Sequence, residues 1–140
     1  MLKELKQSYF ILKHKDYIAN CFGIDNYSIL ICKRSKHVPN TCRGRHVASK
    51  KSIYLYTPKL KTLLHELTHA YQYKNCPSMI MDNEFYLETQ DDNYFNRPIE
   101  QHARLVANRL YKIVDKYGIG ILSKVNIPQI MQEEWDKVQL

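Results

Sequence analysis

No stretch of this chain of 140 residues approaches the length of apolar sequence that a membrane helix needs, about 20 residues. The opening segment MLKELKQSYFILKHK breaks its apolar residues with lysines, so it does not read as a secretory signal. Together these absences predict a cytoplasmic protein with no membrane partner. The four cysteines, Cys21, Cys32, Cys42 and Cys76, form no C-x-x-C pair, which argues against a structural zinc knuckle and for free thiols in a reducing compartment. Cys42, within NTCRGRH, is the one thiol whose surroundings would suit a metal-directed thiolate; a plain loop thiol is the alternative. Internal repeats, low-complexity tracts and obvious linkers are lacking too, so residues 1–140 read as a single domain with a modest core.

Acidic residues are missing from one region in particular. Residues 33–61 hold nine Lys or Arg and no Asp or Glu, whereas residues 82–100 hold six acids and only Arg97. The formal net charge is +7. A basic strip of this kind attracts polyanions, including nucleic acid, or acidic protein surfaces, although no nucleic-acid-binding motif accompanies it and a solvated hairpin is the simpler reading.

The elements follow from periodicity. Leu2, Leu5, Tyr9 and Leu12 fit one face of an N-terminal helix over residues 2–19, with YFIL as a competing strand start. YSILICK at 27–33 reads as a strand. RHVAS and SIYLY around Lys50 and Lys51 read as a hairpin, with Ile53 to Tyr56 its second strand. Thr57-Pro58 then has the form of a helix start, Thr as cap and Pro in the first turn. Leu60, Leu63, Leu64, Leu67 and Tyr71 share one face of that helix, which should end near Asn75, before Pro77. Residues 82–92 suit either a short acidic helix or a loop. A long helix is predicted over 97–117, with a stripe of Ile99, Ala103, Val106, Leu110, Ile113 and Tyr117 and Gly118 as its terminator. A last amphipathic helix from Pro128 would use Met131, Trp135 and Val138. The sum is an α+β fold.

The segment LLHELTHAYQ places His65, Glu66 and His69 in the order H-E-x-x-H, a zinc metalloprotease signature. Residues four apart on a helix lie one turn apart on the same side, so two imidazoles can converge on one ion. Glu66 lies on an adjacent side, able to reach a water at that ion without being a ligand. The leucine face opposite supplies the reason for the helix to form. A catalytic zinc site needs a third protein ligand and an open position. The other histidines are His14, His37, His46 and His102, and the downstream carboxylates are Glu84, Glu88, Asp91, Asp92 and Glu100. Periodicity favours Glu100, on the flank of the stripe shared by Ala103 and Ala107, where small residues permit close helix approach. His102 lies on the opposite flank and is the second choice. A glutamate in a first helical turn is also favoured by the helix dipole alone.

HELTHAYQ followed by NRPIEQHARLVAN resembles the small gluzincin metallopeptidases, including the minigluzincins, over about residues 53 to 110. Small members often show Pro-x-Glu-x-x-Ala, here Pro98, Glu100 and Ala103. The resemblance implies a zincin-like domain: a small twisted, mostly antiparallel sheet of about three strands, an active-site helix, a glutamate helix and flanking terminal helices. It implies one catalytic zinc ion on His65, His69 and Glu100, with Glu66 as general base in peptide-bond hydrolysis. It also implies a substrate strand laid along Ile53, Tyr54, Leu55 and Tyr56. Larger gluzincins often carry an aspartate four residues after the ligand glutamate. Arg104 stands there instead, so the partner that orients the zinc histidine must come from elsewhere. Tyr94, His102 and Arg104 are the candidates for transition-state stabilisation. The C-terminal helix with Trp135 is either a core element or a plug that keeps the enzyme latent. The alternative function is that of a SprT-like or regulatory protein of zincin fold, acting on DNA-bound proteins or mainly by binding. That group completes its site with a third histidine, for which no convincing equivalent is present.

Overall fold

The computed structural model describes residues 2–89 and 93–139, and the side chains from residue 6 onward within that range. The chain forms an α+β fold in the order α1 (Leu2–Cys21), β1 (Ser28–Ile31), β2 (Gly44–Val47), β3 (Ser52–Leu55), α2 (Leu60–Asn75), α3 (Pro77–Thr89), α4 (Pro98–Tyr117) and α5 (Ile127–Trp135). Short 3-10 segments occupy Ala48–Lys50, Tyr94–Asn96 and Ile119–Lys124. Among the described residues no helix is long and apolar enough to cross a membrane.

The N-terminal helix forms, but not on the predicted face. Tyr9 and Leu12 are exposed, while Ile11, Ile18, Ala19 and Phe22 are buried; the side chains of Leu2 and Leu5 lie outside the described residues. The helix ends through Gly23 at φ 67, a conformation open to glycine without steric cost.

The sheet is three-stranded with β3 in the centre, paired parallel to β1 and antiparallel to β2. It is therefore mixed rather than mostly antiparallel. The β2–β3 hairpin is present, turning through Lys51 at φ 46. Since β3 is hydrogen-bonded on both sides, Ile53, Tyr54 and Leu55 cannot accept an added strand. Tyr56, just past the strand, has its N–H donated to the Arg43 carbonyl. That bond also sets the phase of the antiparallel ladder: Arg43, Arg45 and Val47 point their main-chain groups at β3, so Gly44 and His46 point theirs to the free edge. The free edge next to the cleft belongs to β2.

Helix α2 starts at Leu60, later than the Thr57-Pro58 signal suggests, and Lys59 precedes it without a side-chain cap bond. The Arg43 carbonyl accepts from both Tyr56 and Thr57 N–H, holding the chain extended past Pro58. Pro58 itself disfavours a helical Thr57. From there the pattern holds: Leu63, Leu64 and Leu67 are fully buried, and Leu60 and Tyr71 pack partly against the core. The helix ends at Asn75. The acidic segment is helical through Thr89 as the C-terminal part of α3; residues 90–92 lie outside the described residues.

Helices α2 and α4 make the most extensive contact between elements. Ala103, Val106, Ala107 and Leu110 of α4 are buried, and small residues such as the two alanines suit a close approach of helix backbones. Val114 takes the last inward position in place of Tyr117, which is exposed. Gly118 terminates α4 at φ 86. Helix α5 brings Ile127, Ile130 and Met131 into the same core. None of its residues lines the cleft described below. Trp135 therefore belongs to a packing element rather than a plug.

Candidate metal centre

The packing of α4 on α2 delivers Glu100 to the two motif histidines. His65 Nε2 lies 3.2 Å from Glu100 Oε2. His69 Nε2 lies 3.0 Å from the same oxygen and 2.8 Å from Oε1. One donor atom from each of the three residues falls within 4.8 Å of the others, an arrangement that could hold a metal ion. His69 and Glu100 are buried, whereas His65 retains partial exposure at the cleft. Two imidazole nitrogens and one carboxylate oxygen form a donor set suited to zinc, with room for a fourth ligand from solvent.

Glu66 is buried beside this cluster but outside it, with a relative exposure of 5%. Burial raises its pKa, a shift opposed by the neighbouring histidines. Gly44 of β2 is what permits strand and helix to meet here. A Cβ at that position would stand 2.9 Å from Thr62 Cγ2 and 3.1 Å from Glu66 Cγ.

The partner that orients His69 is Gln72, one turn further along α2. Gln72 Oε1 lies 2.9 Å from His69 Nδ1, so Nδ1–H donates to it and Nε2 keeps its lone pair for a metal. The Gln72 amide donates to the Ile99 carbonyl at 3.0 Å and to His102 Nδ1 at 2.8 Å. His102 Nε2–H in turn donates to the Met131 carbonyl at 2.8 Å. Every polar atom in this buried chain has a partner, and the pattern requires a neutral His102. Burial also lowers the His102 pKa. His102 is fully buried with its ring edge-on to Trp135. Its ring nitrogens are both engaged away from the cluster, and it links α5 through Gln72 to His69. Replacing Gln72 by Leu is expected to weaken metal affinity by about 10- to 100-fold while the fold persists. Competition for zinc against a chelating dye checks this.

Tyr94 is equally committed. Its hydroxyl donates to Glu100 Oε1 at 2.6 Å, which leaves Oε2 as the oxygen shared with the histidines. Arg97 sits over the Tyr94 ring at 5.0 Å. Arg104 stacks on Phe95 at 3.5 Å and lines the cleft. Of the other proposed ligands, Glu84 and Glu88 are exposed on α3, and His14 packs against Phe10 on α1. His37 lies on the cleft wall. Asp91 and Asp92 lie outside the described residues. The Cys42 thiol donates to the Gly44 carbonyl at 3.2 Å and is no part of the cluster. His46 bonds Tyr27 at 2.9 Å, with its ring 6.4 Å from that of His69.

Without metal, the cluster is an ion pair. Burial alone would lower the His69 pKa, but the hydrogen bond and charge of Glu100 outweigh burial and push it up to about 9. Burial would raise the Glu100 pKa, and the two histidines instead hold it well below the usual carboxylate range. A metal must therefore displace a proton from His69 at any pH below about 9. Apparent zinc affinity is expected to rise about tenfold per pH unit up to that value and to level off above it. Titrations of zinc binding between neutral and alkaline pH, with proton release followed by calorimetry, check this.

These groups face an open cleft of about 1700 Å³ bounded by β2 and the loop before it, the start of α2, and α4. This is larger than the roughly 300–1,000 Å³ usual for a small-molecule site. No family model, curated protein or solved structure matches this chain.

Proposed function

We propose that this protein is a zinc-dependent peptidase of gluzincin type. The observation that carries the reading is the meeting of Glu100 with His65 and His69, while Glu66 stays buried beside them and outside the ligand set. Zinc held by these three residues would supply a Lewis acid for the scissile carbonyl and make the attacking water more acidic.

Glu66 takes a proton from that water as its oxygen bonds to the carbonyl carbon. It then delivers the proton to the nitrogen as the C–N bond breaks, giving a carboxylic acid and an amine. Burial raises its proton affinity, which suits a base that must also act as an acid. The substrate chain lies along β2, where the outward main-chain groups of Gly44 and His46 offer strand pairing. Among the three proposed donors to the oxyanion, Arg104 is the one that lines the cleft with no hydrogen bond already made among the described residues. The carboxylate third ligand supports the gluzincin reading over the SprT-like one, which expects a histidine there.

The test is metal content together with hydrolysis of an unstructured protein such as casein. One bound zinc per chain, with hydrolysis abolished by a chelator and restored by zinc, is the expected result. A protein that binds zinc in this site yet cuts no peptide would remove the peptidase reading.

A further inference from the structure

Lysines and arginines outnumber acids around the cleft, and six of them come from four different elements. Lys6 lies on α1, Arg43 and Arg45 lie in or next to β2, Lys59 and Lys61 lie at the start of α2, and Arg104 lies on α4. All line the same space as His65 and Glu66. Among the described residues none of these six side chains is in an ion pair. Lys61 and Arg104 are instead held over the rings of Tyr111 and Phe95. Three acids line the cleft: Glu66 and Glu100, which belong to the metal centre, and Asp115. Six lysines and arginines gathered from four elements around one cleft, against three acids of which two belong to the metal centre, mark a surface whose counter-charge comes from a ligand.

The chemistry of that ligand is set by what the positive walls enclose. The main-chain groups of β2 that face outward match an extended polypeptide, which presents donors and acceptors at strand spacing. A nucleic acid strand cannot pair with a sheet edge in this way. Resting on the peptidase reading above, we propose that the cleft selects peptide segments rich in Asp and Glu around the bond to be cut. The concentration of lysine and arginine in residues 33–61 is then one part of a substrate-recognition wall that Lys6 and Arg104 complete.

The experiment uses the full chain carrying Glu66→Gln, loaded with zinc, and fluorescent peptides of equal length that are acidic, uncharged or basic. The acidic peptide is expected to bind at least about tenfold tighter than the uncharged one at low salt, with the gap closing as salt screens the cleft. Two double variants, Lys59→Gln with Lys61→Gln and Arg43→Gln with Arg45→Gln, are each expected to narrow the gap, weakening the acidic peptide several-fold more than the uncharged one. Equal affinity for the three peptides would overturn the proposal. So would an oligonucleotide that binds more tightly than an acidic peptide of the same charge. Cleavage by the wild-type protein separates the two readings. Acidic peptides that bind selectively but stay uncut would remove the peptidase reading and leave the acid-selecting cleft. Cleavage that is indifferent to peptide charge would do the reverse.

Discussion

Glu66→Gln is expected to keep its zinc and lose its turnover. Gln is nearly isosteric with Glu, and position 66 lies outside the ligand set, so the metal donors are untouched. The amide cannot take up the proton that water must release. A positioned general base contributes between about 10²- and 10⁴-fold to rate, and kcat is expected to fall by that order. The substitution also removes a carboxylate whose buried charge is costly, so the metal-free variant is expected to be at least as stable as the wild type. Zinc analysis, peptide hydrolysis and thermal unfolding on one preparation give all three readouts. A variant that still turns over at the wild-type rate would show that Glu66 is not the base.

Glu100→Gln is expected to damage metal binding itself. The carboxylate is the only donor that α4 contributes to the cluster, and losing a ligand is expected to cost more than the roughly 100-fold that follows loss of an orienting partner. A second effect appears without metal, because Glu100 and His69 form a buried pair. His69 has a folded-state pKa raised to about 9, so its contribution to stability is full below its ordinary value of 6.5 and fades as pH rises through 9. Glu100 has a depressed folded-state pKa, so its contribution is full above its ordinary value of 4.5 and fades as pH falls through the folded value. The pair is therefore strongest between pH 4.5 and 6.5. Breaking such a pair by removing one partner costs on the order of 3 kcal/mol. Urea unfolding of the metal-free proteins is expected to show that deficit near pH 6 and a smaller one above pH 9. A deficit independent of pH would mean that Glu100 stabilises the fold by packing alone.

The parts of the site carried by one helix were legible, and those carried by two were legible only as a choice. His65, Glu66 and His69 are local, since an i,i+4 pair and the residue beside it are placed by the helix itself. Glu100 was favoured among several carboxylates by periodicity and by the resemblance, and the contact between α2 and α4 is what brings it, rather than Glu84 or Glu88 on α3, to the histidines. Gln72 carried a readable signal: three residues after His69 it lies on the same helix side. His102 carried none that distinguished a ligand from a buried link. Its role depends on Met131, 29 residues away. The free sheet edge was misassigned to Ile53–Tyr56 because strand order is not a local property. The same apolar run serves a central or an edge strand, and β1 takes the side of β3 that the hairpin leaves open.

The sequence by itself determined the helices that carry the motif and Glu100, the hairpin and the pairing of two histidines on one helix side, because each depends on spacing within a single segment. Only the tertiary structure decided which strand is left free and which lysines and arginines wall the cleft, and it brought the expected carboxylate, Glu100, to the histidines. Those outcomes depend on how closely Ala103 and Ala107 let two distant helices approach, and on where the chain crosses between strands.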